Sequence, residues 1–144
     1  MTWTYCDTSA LIKRYVAEPG RREVLHLLRR HACVTSALFR VELRSALRRR
    51  VSDGSLDEKA ASKILQRFEA DRAFWTFVEV TSDVLVGAEA LVAAQPLRTL
   101  DAIHVATGRW FADQIAAPDL IFASADARQI AAARAVGLTI KLVA

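Results

Sequence analysis

Apolar positions along the chain follow two periods, and the switches between them mark out the elements. Residues 2–6 form a short run of aromatic and β-branched side chains, the pattern of a strand. Residues 9–16 carry Leu11, Ile12, Tyr15 and Val16 on one face, which predicts a helix, and Pro19-Gly20 breaks the chain after it. Residues 21–31 repeat the helical spacing, with Val24, Leu27 and Leu28 inward and arginines outward. The apolar run 32–35, between two helices, reads as a strand. A helix follows over 37–51, and Ser52-Asp53-Gly54-Ser55 ends it and caps the next. Residues 56–74 place Ala61, Ile64, Leu65 and Phe68 at helical spacing. Residues 76–80 alternate as a strand, Asp83 caps a helix to residue 95, and 99–115 is a further helix. The last elements are a strand at 120–123, a helix over 127–136 ended by Gly137, and a strand at 138–143. Five short strands separated by helices predict the α/β class: a three-layer α/β/α sandwich around a central, mostly parallel five-stranded sheet with right-handed crossovers.

Composition narrows the class. A chain of 144 residues predicts a single domain over 1–144. Its 53% apolar and 25% charged residues match a globular protein and exclude disorder. No apolar run is long enough to span a membrane, and the first residues lack the regions of a signal peptide, so the expectation is a cytoplasmic protein without membrane contact. Cys6 and Cys33 then read as two buried, reduced thiols. The formal net charge is +4, and 16 of the 20 basic residues are Arg, the better bidentate partner for phosphate and carboxylate. Net charge of this size does not by itself point to nucleic acid; clustering would.

Candidate chemistry lies in four acids. In open α/β sheets function gathers at the carboxyl ends of the strands. Asp7 follows the first strand in Tyr5-Cys6-Asp7-Thr8-Ser9, and Asp126 follows the fourth in Ala123-Ser124-Ala125-Asp126. Glu42 and Asp101 lie early in their helices, each among apolar neighbours. A lone acid at a helix start is usually a cap. Four that converge would raise one another's pKa and require a cation, and oxygen-only ligands indicate Mg²⁺, with Mn²⁺ as a substitute. Such a site supports phosphodiester hydrolysis without a nucleophilic side chain. That suits a chain with no Gly-rich phosphate loop, no Cys-x-x-Cys and no G-x-S-x-G. Ser9 and Ser124, and Thr8 beside them, are hydroxyls that either orient a carboxylate or simply cap helices.

The motifs resemble those of one family. Asp7-Thr8-Ser9-Ala10-Leu11-Ile12-Lys13 is similar to the N-terminal signature of PIN-domain ribonucleases. Val41-Glu42-Leu43-Arg44-Ser45-Ala46-Leu47 resembles the second motif and Leu100-Asp101-Ala102-Ile103-His104-Val105-Ala106 the third. Phe122-Ala123-Ser124-Ala125-Asp126 and the Ala-rich helix after it resemble the fourth, with Ser124 where Thr is frequent. In size the chain is most similar to the toxin component of VapBC toxin–antitoxin modules. The resemblance implies a Mg²⁺-dependent endoribonuclease with Asp7, Glu42, Asp101 and Asp126 as catalytic, metal-binding acids. It also implies a homodimer silenced by a cognate antitoxin.

Other candidates stand beside these. Arg40, Arg44 and Arg48 recur every fourth residue on the Glu42 helix, with Arg49 and Arg50 behind them. They are either a solvated face, an RNA-backbone contact, or a contact for acidic antitoxin residues. Lys13 and Arg14 are weaker candidates for the same roles. His104 shares a face with Asp101 and reads as structural rather than as a general acid. Phe74 and Trp75 read as core. An aspartyl-phosphate phosphatase would need an acid where Ser9 stands. A non-catalytic RNA-binding or receiver-like module is the other alternative, and it predicts Mg²⁺-independent binding without cleavage.

Overall fold

The computed structural model describes residues 1–144. The chain begins with β1 (Trp3–Cys6), α1 (Thr8–Leu11) and a 3-10 turn over Ile12–Arg14, then α2 (Arg21–Arg30), β2 (Ala32–Ser36) and α3 (Phe39–Ser52). It continues through α4 (Glu58–Asp71), a 3-10 turn over Arg72–Phe74, β3 (Thr76–Val78), α5 (Ser82–Ala94) and α6 (Thr99–Gln114). It ends with β4 (Ile121–Ser124), α7 (Ala127–Ala135) and β5 (Thr139–Leu142). The sheet order is β3-β2-β1-β4-β5 and every pairing is parallel, so the expected mostly parallel sheet is wholly parallel.

Alternation along the strands divides the interior in two. Tyr5, Val34 and Phe122 face a core closed by α5, α6 and α7, with Val84, Leu91, Val105, Phe111 and Ile130. Their neighbours Cys6, Cys33 and Ala123 face a second core closed by α1 to α4, with Leu11, Val24, Phe39, Leu43 and Phe68. Strands buried on both faces read as continuous apolar runs, which is why the short segments near residues 5, 34 and 122 were recognisable. Both cysteines are buried and unpaired, as expected of reduced thiols. No helix is long and apolar enough to cross a membrane.

The differences from the sequence reading are local. The first helix tightens to 3-10 geometry at Ile12 rather than continuing to residue 16. The cap of α4 is Asp57, whose carboxylate accepts from Ala60 N–H at 2.7 Å, and not the Ser52–Ser55 segment. Thr81, not Asp83, caps α5, its hydroxyl accepting from Val84 N–H. In both cases the capping oxygen sits three residues before the N–H it receives, the spacing a first helical turn requires. Phe74, expected in the core, is 85% exposed because the 3-10 turn after α4 swings it outward, while Trp75 packs near Tyr15 and Phe68. Arg14 is not free: it forms a two-pronged pair with Asp71 at 2.7 and 2.9 Å, and the Tyr15 hydroxyl donates to the same carboxylate. Burial opposes the charge on Asp71, but Arg14 and Tyr15 outweigh it and hold the carboxyl below its usual value.

The strand order carries the functional consequence. From β1 the chain lays β2 and β3 to one side, then α5 and α6 return it to place β4 on the other. The direction of strand addition therefore reverses between β1 and β4. A crevice opens at the carboxyl edge of such a switch point, because the connections leaving the two strands depart in opposite directions.

Candidate active site

That crevice is a cavity of about 370 Å³, and all four acids singled out in the sequence line it: Asp7, Glu42, Asp101 and Asp126. Each arrives by a different local route. Asp7 ends β1 and caps α1, its Oδ1 accepting from Ala10 N–H at 2.9 Å. Asp126 follows β4 and caps α7, Oδ1 accepting from Arg128 N–H at 2.8 Å. Glu42 and Asp101 stand in the first turns of α3 and α6, where the positive ends of the helices favour a carboxylate.

Asp7 is the most enclosed, with 1% of its surface exposed. Ser9 Oγ donates to its carboxylate at 2.8 and 2.9 Å, and Ser124 Oγ donates to Oδ2 at 2.8 Å. The two serines also accept from the backbone N–H groups of Ala125 and Asp126, stitching the end of β1 to the end of β4. Of the two roles considered for them they take the first, orienting a carboxylate; the helix caps are Asp7 and Asp126. Burial pushes the Asp7 carboxyl above its ordinary value, against the pull of His104, Ser124, Ser9 and the Ala10 N–H. The mutual repulsion expected among the four acids is not the cause.

Glu42 behaves oppositely. Burial disfavours its charge, but His104 and Thr8 prevail and its carboxyl sits below the usual range. Both donors converge on one oxygen: His104 Nε2 lies 2.7 Å and Thr8 Oγ1 2.8 Å from Oε1. Asp101 is held by Gln129 Nε2 at 2.9 Å and by Arg98 at 3.3 Å. Gln129 is 3% exposed, and its amide oxygen is buried without a partner.

The basic residues differ from the expected set. Arg40, Arg44 and Arg48 do not line the cavity; Arg49, Arg50 and Arg98 do. The reason is helical geometry. At about 100° per residue, Arg40 and Arg44 stand roughly 200° around α3 from Glu42, whereas Arg49, seven residues on, returns to the same face. A second cavity of about 510 Å³ shares Arg49 and Arg98 with the first and adds Ser45 and Thr99. Lys13 is buried, donating to Pro19 O at 2.7 Å and lying 3.6 Å from Glu18. Glu18, also paired with Arg50, is a fifth acid on the wall that the sequence did not single out. The contacts of His104 and Gln129 were likewise missed. The one usable signal was the i, i+3 spacing of Asp101 and His104.

The donor chemistry fits a hard divalent cation. The wall offers carboxylate and hydroxyl oxygens and no thiol, the set suited to Mg²⁺. No three His, Cys, Asp or Glu side chains converge closely enough to cage an ion alone. The fit is therefore to an ion that keeps much of its own water, as Mg²⁺ does.

Comparison with known proteins bears on the family and the fold. The PIN domain family model matches residues 4–135, a span that contains all four acids. The chain is 36% identical over 110 residues to Ribonuclease VapC46 of Mycobacterium tuberculosis, covering 76% of each protein. In fold it is similar to FitAcB from Neisseria gonorrhoeae, with a TM-score of 0.68 at 18% identity over 95% of both chains. It is also similar to VapBC-5 of Mycobacterium tuberculosis, a member of the VapBC family of toxin–antitoxin systems. There the TM-score is 0.63 at 16% identity, over 99% of this chain and all of that one.

Proposed function

This chain belongs to the PIN domain family, and from that premise we propose that it is a Mg²⁺-dependent endoribonuclease acting as the toxin of a toxin–antitoxin pair. One observation carries the reading: four carboxylates from four separate stretches of sequence line a single cavity at the carboxyl ends of β1 and β4. The ribonuclease named among its relatives and the toxin–antitoxin systems that share its fold support it.

Asp7, Glu42, Asp101 and Asp126 are the residues that would hold the ion. When bound, Mg²⁺ lowers the pKa of water and neutralises charge developing on the phosphate. The protein's own part is positional. Ser9 and Ser124 fix the rotation of Asp7, Thr8 and His104 fix Glu42, and Gln129 fixes Asp101. Arg49 and Arg98, on the two walls shared by both cavities, bind backbone phosphates of the RNA on either side of the scissile bond. Arg40, Arg44 and Arg48 face away and are left to meet acidic side chains of an antitoxin. Exposed Leu85, Val86 and Val92 on α5 offer an apolar face for the homodimer.

Purified protein incubated with RNA and Mg²⁺ is expected to cleave internally, and EDTA to stop it. Binding without cleavage in Mg²⁺ would instead favour the non-catalytic RNA-binding module. For the arginines, RNA affinity is best measured against salt in an Asp7→Asn background, where the RNA stays intact. Arg49→Ala and Arg98→Ala should each weaken binding and reduce the slope of log K against log salt by about one, the loss of one phosphate contact. Arg44→Ala should leave the slope unchanged. The reverse ranking would return the RNA track to the outer strip of α3.

A further inference from the structure

A chain of buried polar groups runs from the core to the wall of the site. The Tyr5 hydroxyl lies 2.7 Å from His104 Nδ1, and His104 Nε2 lies 2.7 Å from Glu42 Oε1. Tyr5 is wholly enclosed, its ring stacked on Phe122 with centroids 5.2 Å apart. Gly108, one turn beyond His104 on α6, leaves the room this needs: a Cβ there would stand 3.0 Å from Phe122 and 3.4 Å from Tyr5. His104 is 1% exposed with both ring nitrogens engaged, so it does not reach a substrate. Two polar groups are thus sunk in the interior and lead to one oxygen of one carboxylate, with Thr107 beside Tyr5 and Thr8 Oγ1 3.4 Å from His104 Nε2.

The proton positions follow from the partners. Glu42 Oε1 already accepts from Thr8, and as a carboxylate oxygen it needs a donor from the ring. A bare Nε2 at 2.7 Å would set two lone pairs against each other. Nε2 therefore carries hydrogen, and the Tyr5 hydroxyl, which can donate or accept, engages Nδ1. We propose that Tyr5 and His104 are positioning residues for Glu42: Tyr5 holds the ring through its bond at Nδ1, and the Nε2–H, with Thr8, pins Oε1 so that Oε2 is the oxygen offered to the cavity. Glu42 Oε2 has no hydrogen-bond partner within the protein, in keeping with an oxygen reserved for something that enters. Partners of this kind fix the geometry of a ligand without touching what it binds.

The inference rests on reading Glu42 as one of the catalytic acids, and two measurements keep the two claims apart. Long-range ¹H–¹⁵N NMR of the metal-free protein reads the ring directly. Hydrogen on Nε2 is expected in the wild type and also in Tyr5→Phe, because Glu42 Oε1 demands it in both. A ring with a bare Nε2 in the wild type overturns the proposal whether or not the protein cuts RNA. The second measurement is cleavage at saturating RNA. His104→Leu should lose about 10- to 100-fold in kcat with RNA affinity unchanged. His104→Gln, which places an amide N–H where Nε2–H stood, should retain most of the wild-type rate, and Tyr5→Phe should fall between. Equal losses in Gln and Leu, or a loss confined to RNA affinity, overturn it. Thermal melts accompany each variant, and Tyr5→Phe, which removes one oxygen and keeps the ring, covers the case in which His104→Leu fails to fold. If the wild type does not cleave RNA in Mg²⁺, the nuclease reading falls and the NMR result still decides the tautomer.

Discussion

Replacing Asp7 with Asn is expected to lower RNA cleavage by about 10³-fold, the several kcal/mol of charge stabilisation that a properly held ion contributes. The same change should make the metal-free protein more stable, by about 1 kcal/mol, as neutralising a strained functional group commonly does. The stability gain follows from the sign of the Asp7 shift. Its folded-state pKa lies above the unfolded value, chiefly through burial. Between those two values the folded protein holds a proton that the unfolded chain has released, so stability falls as pH rises through that window. Above it the full cost of a buried charge is present. Asn removes the cost and keeps part of the contacts: its carbonyl accepts from Ala10 N–H and Ser9, while the bond with Ser124 reverses and the amide donates. Calorimetry in EDTA from acidic to neutral pH should show the wild type losing stability over this window and the variant not. Added Mg²⁺ should then raise the melting temperature of the wild type and leave the variant unmoved, since only a site that binds the ion is stabilised by it. A variant that is less stable without metal would contradict the burial cost, and one that still cleaves RNA would contradict the catalytic role.

The second large effect is structural. Phe68→Ala should cost about 3 to 5 kcal/mol, the range for emptying a buried aromatic site. Phe68 is 2% exposed and lies at the centre of an aromatic group, with ring centroids 5.3 Å from Phe39, 6.1 Å from Phe77, 6.3 Å from Trp75 and 6.5 Å from Tyr15. It and Ile64 are the fully buried residues of α4, so without it the helix keeps one anchor. Phe39 begins α3, three residues before Glu42, which ties this cluster to the wall of the site. Out of a total stability of about 5 to 15 kcal/mol such a loss is large, and urea unfolding should show a clearly lowered midpoint. Phe74→Ala, a few residues away but exposed, should leave the midpoint in place. A cost under about 1 kcal/mol for Phe68→Ala would mean that the cluster collapses to fill the gap.

The positions of the four acids were legible because each depends on local grammar. A strand end and a helix start are readable from a handful of residues, and the parallel sheet then brings those edges together. What holds Asp7 was partly legible in the hydroxyls of Ser9 and Ser124; the contacts of His104 and Gln129 were not, because they depend on pairings distant in sequence. Tyr5 meets His104 across 99 positions and Gln129 meets Asp101 across 28, and nothing local to either residue announces the other. The misplaced arginines are a different case. Their repeat does define a helix face, but spacing among themselves does not say which way that face points; counting from Glu42 does, and selects Arg49. The exposed Phe74 shows the limit of hydrophobicity as a guide, since a turn of 3-10 helix redirected it without any change in composition.

The seam between β1 and β4 has a consequence for the birth of the molecule. Asp7 receives its Ser124 hydrogen bond from a residue 117 positions later, and β1 is flanked by β4 only after most of the chain exists. During synthesis β1, β2 and β3 can be laid side by side, yet Asp7 remains without its serine, and Asp101 without Gln129, until β4 and α7 have emerged from the ribosome. On the function proposed above, the cutting edge of a ribonuclease stays incomplete while it is made within reach of the translation machinery, and closes only once β4 and α7 have joined β1.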